Sequence, residues 1–396
     1  MDDIPDVIFT GETSYNYFGI SVAAAGDVNQ DGFSDVIIGA EGNAAGGFDA
    51  GRAYLYLGGL NMDNIADVIF TGAAGFDDFG HSVAAAGDVN HDGFSDVIVG
   101  AYLNDAGGND AGRAYLYFGG ASMDNVADVI FTGETVLNRF GISIAAAGDV
   151  NHDGFADVLV GASTAGRAYL YFGGTRMDNI ADVIFTGETG GSAFGISAAA
   201  AGDVNHDGFA DVIVGDNWNN AGGYNAGRAY LYFGGPRMDN LADAVFTGAA
   251  GSDLFGISVA AAGDVNHDGF SDVIVGATGN SAVGYQMGRA YVYAGGTTVG
   301  VEDKDNEIPA GYHLLQNYPN PFNPTTTIRF SLPQREHVTL KIFDLLGKEV
   351  GTLVEGDLAP GEHAVVFAGN GLSSGVYLYH FQAGTFVERK KLVLLR

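Results

Sequence analysis

The sequence predicts an all-β chain, a β-propeller of five repeated units followed by an immunoglobulin-like β-sandwich. Three observations carry this expectation. The segment Gly-Asp-Val-Asn-x-Asp-Gly-Phe-(Ser/Ala)-Asp-Val recurs with its first Asp at 27, 88, 149, 203 and 264, at spacings of 61, 61, 54 and 61. Each unit holds four short runs rich in Val, Ile, Tyr and Phe, bounded by Gly, Asn and Asp, and no run keeps a 3.6-residue period. After residue 298 the repeat stops and the composition changes.

In the first unit, strands are expected over residues 6–10, 18–25, 35–39 and 51–59. Four antiparallel strands per unit make a blade, and blades stacked radially make a propeller, an architecture of about four to eight blades. The chain opens on the equivalent of residues 67–71, whereas the last unit ends on residues 288–293. Residues 6–10 could therefore supply the outer strand of the last blade and close a five-bladed ring. The alternative is part of a larger propeller, because Met62, Met123, Met177 and Met238 hold the place of Met1. Residues 1–298 form the repeat region, and the polar, charged stretch 299–311 reads as a linker. From 312 to 396, alternating segments such as 325–332, 338–343 and 375–381 imply a half-buried pair of sheets.

Glycine reaches 63 of 396 residues, about 16% against a usual level of roughly 7%, with only 8 prolines and no three-residue period. Collagen is excluded and frequent tight turns are implied. The chain holds 48 acidic and 17 basic side chains, a formal net charge of -31. Residues 1–298 contribute 37 acids against 8 arginines and no lysine, or -29, while the remainder has 11 acids and 9 bases, or -2. Such a front part repels phosphate backbones and anionic lipid, which argues against nucleic acid and membrane surfaces as partners. Cysteine is absent, so there is no disulfide framework, thiolate metal site or cysteine nucleophile. No run approaches the roughly 18 apolar residues of a transmembrane helix. The opening Met1-Asp2-Asp3-Ile4-Pro5 has neither the basic nor the apolar region of a secretory signal.

The acidic excess is organised. In the first repeat, Asp27, Asn29, Asp31 and Asp35 occupy positions one, three, five and nine of a loop, Gly32 occupies six, and Phe33 offers its backbone carbonyl at seven. Alternate side chains converge on one point and glycine permits the sharp turn, as in a calcium-binding loop. Equivalent sets are Asp88, Asn90, Asp92, Phe94 and Asp96; Asp149, Asn151, Asp153, Phe155 and Asp157; Asp203, Asn205, Asp207, Phe209 and Asp211; and Asp264, Asn266, Asp268, Phe270 and Asp272. One copy could be an Asn/Asp turn. Five intact copies, each concentrating three carboxylates, point to about five sites for Ca2+, a hard cation suited to an all-oxygen cage. The histidines at position four, His91, His152, His206 and His267, are expected in solvent.

Phe18-Gly19, the loop from Gly26 to Gly32 and Gly39-Ala40 together resemble the FG-GAP repeat of the integrin alpha-subunit propeller. The first signal recurs at Phe79-Gly80, Phe140-Gly141, Phe194-Gly195 and Phe255-Gly256. The family's proline after Gly-Ala is missing throughout, Asp216 replaces even the alanine in the fourth unit, and five repeats stand where integrins have seven. Near the C-terminus, Gln316-Asn317-Tyr318-Pro319-Asn320-Pro321-Phe322-Asn323-Pro324 is similar to part of the sorting domain of the bacterial type IX secretion system. Residues 343–350, 374–378 and 390–396 extend that similarity. It implies contact with the secretion machinery, export across the outer membrane of a Bacteroidetes-type cell, removal of the domain, and surface attachment or release. Such cargo also carries an N-terminal export signal, which points to a native start upstream of Met1.

Variation between units concentrates on one rim. It lies in residues 14–17, 76–78, 136–139, 190–193 and 252–254, and in longer loops such as 102–110 and 216–220. A ligand is expected there, where Tyr15, Tyr17, Tyr102, Trp218 and Tyr224 are available for stacking. Paired tyrosines such as Tyr54 and Tyr56 read as sheet packing, and Arg52, Arg113, Arg167, Arg228 and Arg289 as partners of nearby acids. No catalytic constellation stands out from the five-fold pattern. The expected function is a secreted or cell-surface adhesion module for a glycan or protein ligand, not an enzyme. The alternative is an accessory propeller of a secreted hydrolase or lyase, or of a longer protein whose active domain lies upstream of Met1.

Overall fold

The computed structural model describes residues 4–188, 193–282, 284, 286–296, 312–315, 317, 320–344, 347–358, 361–369 and 371–395. The chain divides into two compact units, Met1–Val301 and Glu302–Arg396. The linker expected over 299–311 lies outside the described residues, as do residues 190–192 of one variable loop. All regular structure among the described residues is β, and no helix is long and apolar enough to cross a membrane.

Blade 1 comprises β1 (Val22–Gly26), β2 (Asp35–Ala40), β3 (Arg52–Tyr56) and β4 (Val68–Thr71), paired antiparallel in that order. Blade 2 repeats this as β5 (Ser82–Gly87), β6 (Asp96–Ala101), β7 (Arg113–Tyr117) and β8 (Val129–Thr132). Blade 3 consists of β9 (Phe140–Gly148), β10 (Asp157–Ala162), β11 (Arg167–Tyr171) and β12 (Val183–Thr186). Blade 4 consists of β13 (Ser197–Gly202), β14 (Asp211–Asp216), β15 (Arg228–Tyr232) and β16 (Ala244–Thr247). Blade 5 has three strands, β17 (Phe255–Gly263), β18 (Asp272–Ala277) and β19 (Arg289–Tyr293).

The core of this unit lies between blades. Alternation along each strand gives two apolar faces, and stacking buries both at once. Between blades 1 and 2, Ile37, Leu55 and Phe70 meet Val97, Val99, Tyr115 and Tyr117, and the same set recurs at the next junctions. Tyr54 and Tyr56 are buried as expected, and in most of the pairs the first tyrosine has a second task. Asn43 Nδ2 donates to the Tyr54 hydroxyl at 3.0 Å and Asn219 Nδ2 to the Tyr230 hydroxyl at 3.0 Å, fastening a variable loop to its blade.

Glycine spacing explains the Phe-Gly and Gly-Ala signals. A Cβ added to Gly39 would lie 1.9 Å from the carbonyl oxygen of Gly80 in the next blade, and Gly161 and Gly215 meet Gly195 and Gly256 at 2.0 Å. Backbones approach there too closely for any side chain.

The arc is open. The inner strands β1, β5, β9, β13 and β17 pack each on the next, and among the described residues β17 makes no comparable contact with β1. Residues 6–10 form no strand, and among the described residues β19 has no outer partner. The closed five-bladed ring allowed by the sequence is thus not the arrangement seen. Phe9 instead packs on Tyr56 of blade 1, with ring centroids 4.2 Å apart.

The C-terminal unit is a two-sheet sandwich. One sheet contains β20 (His313–Leu314), β21 (Thr325–Leu332) and β24 (Gly361–Ala368). The other has the order β23 (Glu349–Leu358), β22 (Glu336–Phe343), β25 (Gly375–Ala383) and β26 (Phe386–Leu394). Alternate residues Ile328, Phe330 and Leu332, Val338, Leu340 and Ile342, and Tyr377, Tyr379 and Phe381 fill its core. The two ends of the sorting-domain similarity are zipped together. Phe322 N donates to Val393 O, Leu395 N to Phe322 O, and Val393 N to Asn320 Oδ1.

Candidate metal centres and the variable rim

Each acidic loop links an inner strand to the strand beside it, and its backbone is set by two left-handed residues. In the first loop these are Gln30 (φ 58°) and Gly32 (φ 90°), and the other four loops match them. Asp27 at position one accepts from Asp31 N (3.1 Å) and Gly32 N (2.9 Å). Asn29 Oδ1 accepts from Asp31 N (3.0 Å), and Asp31 Oδ1 from Phe33 N (3.0 Å). The same pattern holds for Asp88, Asn90 and Asp92; Asp149, Asn151 and Asp153; Asp203, Asn205 and Asp207; and Asp264, Asn266 and Asp268.

Position nine behaves differently. Asp35, Asp96, Asp157, Asp211 and Asp272 are fully buried. Asp35 accepts from Val28 N (2.8 Å) within the loop and from Gly58 N (2.6 Å) just past β3, and its equivalents do likewise. Burial pushes the carboxyls of Asp96, Asp157 and Asp211 up to about 7; the two amide bonds pull the other way, and the acids at positions one and five add to the rise. Positions one, three and five are thus gathered by the loop's own amides, while position nine ties the loop to the sheet. Among the described residues no three acidic or histidine side chains are drawn into a metal cluster.

The donor chemistry nevertheless fits a hard cation. A carboxylate has about four acceptor sites, and the amide bonds described leave lone pairs on every member. Asp27, Asn29, Asp31, the Phe33 carbonyl and Asp35, with their equivalents, would hold the ion.

The loops are also linked to one another, while the position-four histidines His91, His152, His206 and His267 remain exposed to solvent, as expected. Gln30 Nε2 donates to Gly93 O of the next loop at 2.9 Å. His91, His152 and His206 set their rings edge-on to Phe155, Phe209 and Phe270 of the following loop, at 5.6–5.7 Å. Position four is left-handed in every copy, which turns it towards the neighbour and away from its own loop.

The nearly invariant Met-Asp-Asn loops also work between blades. Asn125 Nδ2 donates to Ile69 O (3.3 Å) and Asn179 Nδ2 to Ile130 O (3.3 Å), clasping the outer strand of the preceding blade. Met123, Met177 and Met238 pack against the junction cores. Of the repeated arginines, Arg52, Arg167 and Arg228 pair with Glu12, Glu134 and Glu188.

On the opposite rim, bulky residues stand in left-handed backbone. Tyr15 (φ 65°), Tyr17 (φ 50°), Phe76 (φ 67°) and Leu137 (φ 58°) are at least half exposed, as are Phe48, Trp218 and Tyr224. Tyr102, expected among the exposed aromatics, is partly buried against His81. Neighbouring loops are sewn together there: Phe76 N donates to Phe48 O, Leu137 N to Asn109 O and Ser252 N to Tyr224 O. Asp216, the departure in unit four, is a buried acceptor for Ala193 N and Asn219 Nδ2, the service Asp77 performs for Ala74 N and Asn104 Nδ2.

One cluster at the blade 1–2 junction breaks the five-fold pattern and escaped the sequence reading. His81 Nδ1 lies 2.6 Å from Glu41 Oε2, and its ring packs on Tyr102 at 4.5 Å. Burial pushes the adjacent Asp78 carboxyl up to about 6, against a hydrogen bond from Tyr102. The available signal was His81 itself, since the other four units have isoleucine after Phe-Gly.

The FG-GAP repeat profile matches residues 18–56, 79–117 and 255–293, and an FG-GAP-like repeat profile matches 149–214. The secretion system C-terminal sorting domain profile matches 316–395. Integrin alpha-5 of Xenopus laevis is 33% identical over 216 residues, covering 50% of this chain and 20% of the integrin. Integrin alpha-8 of Mus musculus is 32% identical over 176 residues, covering 41% and 16%, and human integrin alpha-IIb 35% over 154 residues, covering 35% and 14%. The chain thus spans a fifth or less of the length of these integrins. A solved structure of PorZ, a surface component of the type IX secretion system of Porphyromonas gingivalis, aligns with 95% of this chain and 51% of its own. At 14% identity and a TM-score of 0.33, that likeness is too remote to bear on the fold. The chain carries FG-GAP repeats with integrin alpha homology and a C-terminal type IX sorting domain, which marks it for secretion or attachment at the cell surface.

Proposed function

We propose that the repeat unit is a calcium-stabilised binding module of the cell exterior, and that its variable rim holds a glycan or protein ligand. The observation that carries this reading is the row of exposed aromatic and aliphatic side chains held on left-handed backbone, Tyr15, Tyr17, Phe76 and Leu137 among them. Backbone of that kind costs about 1–3 kcal/mol per residue and persists where the surroundings over-determine it, as they do at binding sites. Exposed rings with a polar tip suit sugar faces and partner side chains alike. The cation loops support the frame: at a calcium concentration ten times the dissociation constant, each site contributes about 1.4 kcal/mol, and five contribute about 7 kcal/mol. The sorting domain would engage the secretion machinery and then be removed.

A screen of glycans and matrix proteins, with and without calcium, tests the reading. Calcium-dependent capture that is lost in Tyr15→Ser and Phe76→Ser supports it, and capture of nothing under either condition sinks it. A second reading, an accessory propeller of a hydrolase or lyase, is favoured by the Glu41–His81–Asp78–Tyr102 cluster alone. Polysaccharide turnover abolished by His81→Ala would favour it over adhesion.

A further inference from the structure

Blade 3 differs from the others by a short turn. Eleven residues join the second and third strands of blades 1, 2, 4 and 5 (41–51, 102–112, 217–227 and 278–288), whereas four, 163–166, do so in blade 3. Each long loop is fastened by the side-chain amide of one asparagine. Asn43, Asn104, Asn219 and Asn280 donate Nδ2 to the hydroxyls of Tyr54, Tyr115, Tyr230 and Tyr291 at 3.0–3.4 Å. Each Oδ1 accepts the backbone N–H two residues on, from Ala45, Ala106, Ala221 and Ala282, at 2.9–3.1 Å. In blade 2 the same Nδ2 also reaches Asp77 Oδ2 at 2.8 Å, and in blade 1 it reaches Glu12 Oε2 at 3.1 Å.

The turn of blade 3, Ser163-Thr164-Ala165-Gly166, has no asparagine. The groups that such an amide would meet are nevertheless in place. Tyr169 and Asn138, which stands where blade 2 has Asp77, are each 2% exposed, and the Tyr169 hydroxyl and Asn138 Oδ1 have no hydrogen-bond partner among the described residues. Arg167 and Asn138 neighbour the hydroxyl without bonding it. Glu134, the counterpart of Glu12, pairs with Arg167 as Glu12 does with Arg52. Buried donors and acceptors are costly to leave unpaired, so two together mark a place that a further group completes. Tyr169 belongs to the core shared with Leu116 and Phe131 of blade 2, so the site lies inside the row of blades and at neither end.

We propose that blade 3 is the docking point of a protein partner, which inserts an asparagine side chain beside Tyr169, Asn138 and Glu134, where the other blades place an asparagine of their own. This rests on the variable rim being the binding face and names the class of ligand, a polypeptide turn with a primary amide at its tip. A primary amide offers two N–H donors, which Tyr169 Oη and Asn138 Oδ1 take, and one acceptor, which closes its own turn as in the four internal examples. A carboxylate in the same place has no N–H to give and would face Glu134. Entry requires little rearrangement. The side chains of Arg167 and Glu134 are 39% and 47% exposed, and an ion pair of that kind yields readily. In blade 1 the pair and the amide coexist, Glu12 Oε2 accepting from both Arg52 and Asn43. Val136 and Leu137, exposed beside Asn138, supply apolar contact for the partner.

The probe is a labelled peptide of residues 278–288, Thr-Gly-Asn-Ser-Ala-Val-Gly-Tyr-Gln-Met-Gly, which has one asparagine and no charged side chain. Fluorescence polarisation against the full 396-residue chain should show one site per chain. Asn280→Asp in the peptide, or Tyr169→Phe in the chain, should weaken binding about tenfold or more, and Asn138→Asp, which copies Asp77, should tighten it. Thermal melts separate binding from folding. Tyr169→Phe removes an unpartnered hydroxyl and should melt at or above the native temperature, whereas Tyr230→Phe strands Asn219 Nδ2 and should melt lower. No peptide binding, binding indifferent to both substitutions, or a lowered melt for Tyr169→Phe, as from a hydroxyl already bonded by water, would overturn the proposal. A rim ligand whose capture is lost in Tyr15→Ser but kept in Tyr169→Phe would overturn this site and leave the broader reading standing.

Discussion

On the cation rim, five loops repeat the same amide-to-carboxylate bonds, and three of the loop histidines reach across to the next copy. On the opposite rim the loops share only their attachments, such as Asn43 and Asn219 on tyrosine hydroxyls, and present different side chains from blade to blade. One frame thus supports an edge in which repetition is conserved down to single hydrogen bonds and another in which only the anchoring is. The difference is the one expected if, as proposed, stability and recognition are separated by rim, and four measurements would break or sharpen that separation.

Removal of divalent cations should have the largest effect. Loss of five sites at about 1.4 kcal/mol each corresponds to about 7 kcal/mol, so excess EDTA should lower the melting temperature by many degrees, and an unchanged melt would remove the cations from the argument. The pH dependence of the cation-free protein follows. The carboxyls of Asp96, Asp157 and Asp211 stand near 7 when folded, above the 3.8 of an ordinary Asp. Their folded-state protonation contributes stability that is complete below about pH 4 and is lost as the pH rises through about 7. Cation-free protein should melt higher at pH 5 than at pH 8, and saturating calcium should shrink or reverse the difference; a flat profile in EDTA would contradict the burial described.

Asp157→Ala strands the amides of Val150 and Gly173 and should cost about 2 kcal/mol in chemical denaturation, with ligand capture retained once the protein is folded. The smallest stability change belongs to the variable rim. Tyr15→Gly removes a bulky side chain from left-handed backbone but loosens the unfolded chain, so stability should stay within about 0.5 kcal/mol while capture falls. A large destabilisation there would mean that the rim is structural after all.

The blades and the acidic loops were legible because both recur: four apolar runs bounded by turn residues mark the strands of each unit, and the spacing of Asp, Asn and Asp fixes which residues share a loop. What pairs across blades was not. The sequence places Asp35 beside Asp31 and gives no sign that its carboxylate turns to Gly58 N at the far end of β3. Likewise nothing in the Met-Asp-Asn sequence points beyond its own loop, and only stacking shows Asn125 and Asn179 clasping the blade before. Residues 6–10 have the composition of a strand but form none, because a strand requires a partner edge and none is supplied among the described residues. The Glu41–His81 pair joins residues 40 positions apart, and repeat averaging hides both of them.

The close approach of Gly39 to Gly80 also makes stability a nearest-neighbour property, because each blade's socket is filled only by the Phe-Gly of its successor. Loss of one lock, as in Gly161→Ala, should therefore raise hydrogen exchange in the two blades it joins and leave the distant ones protected.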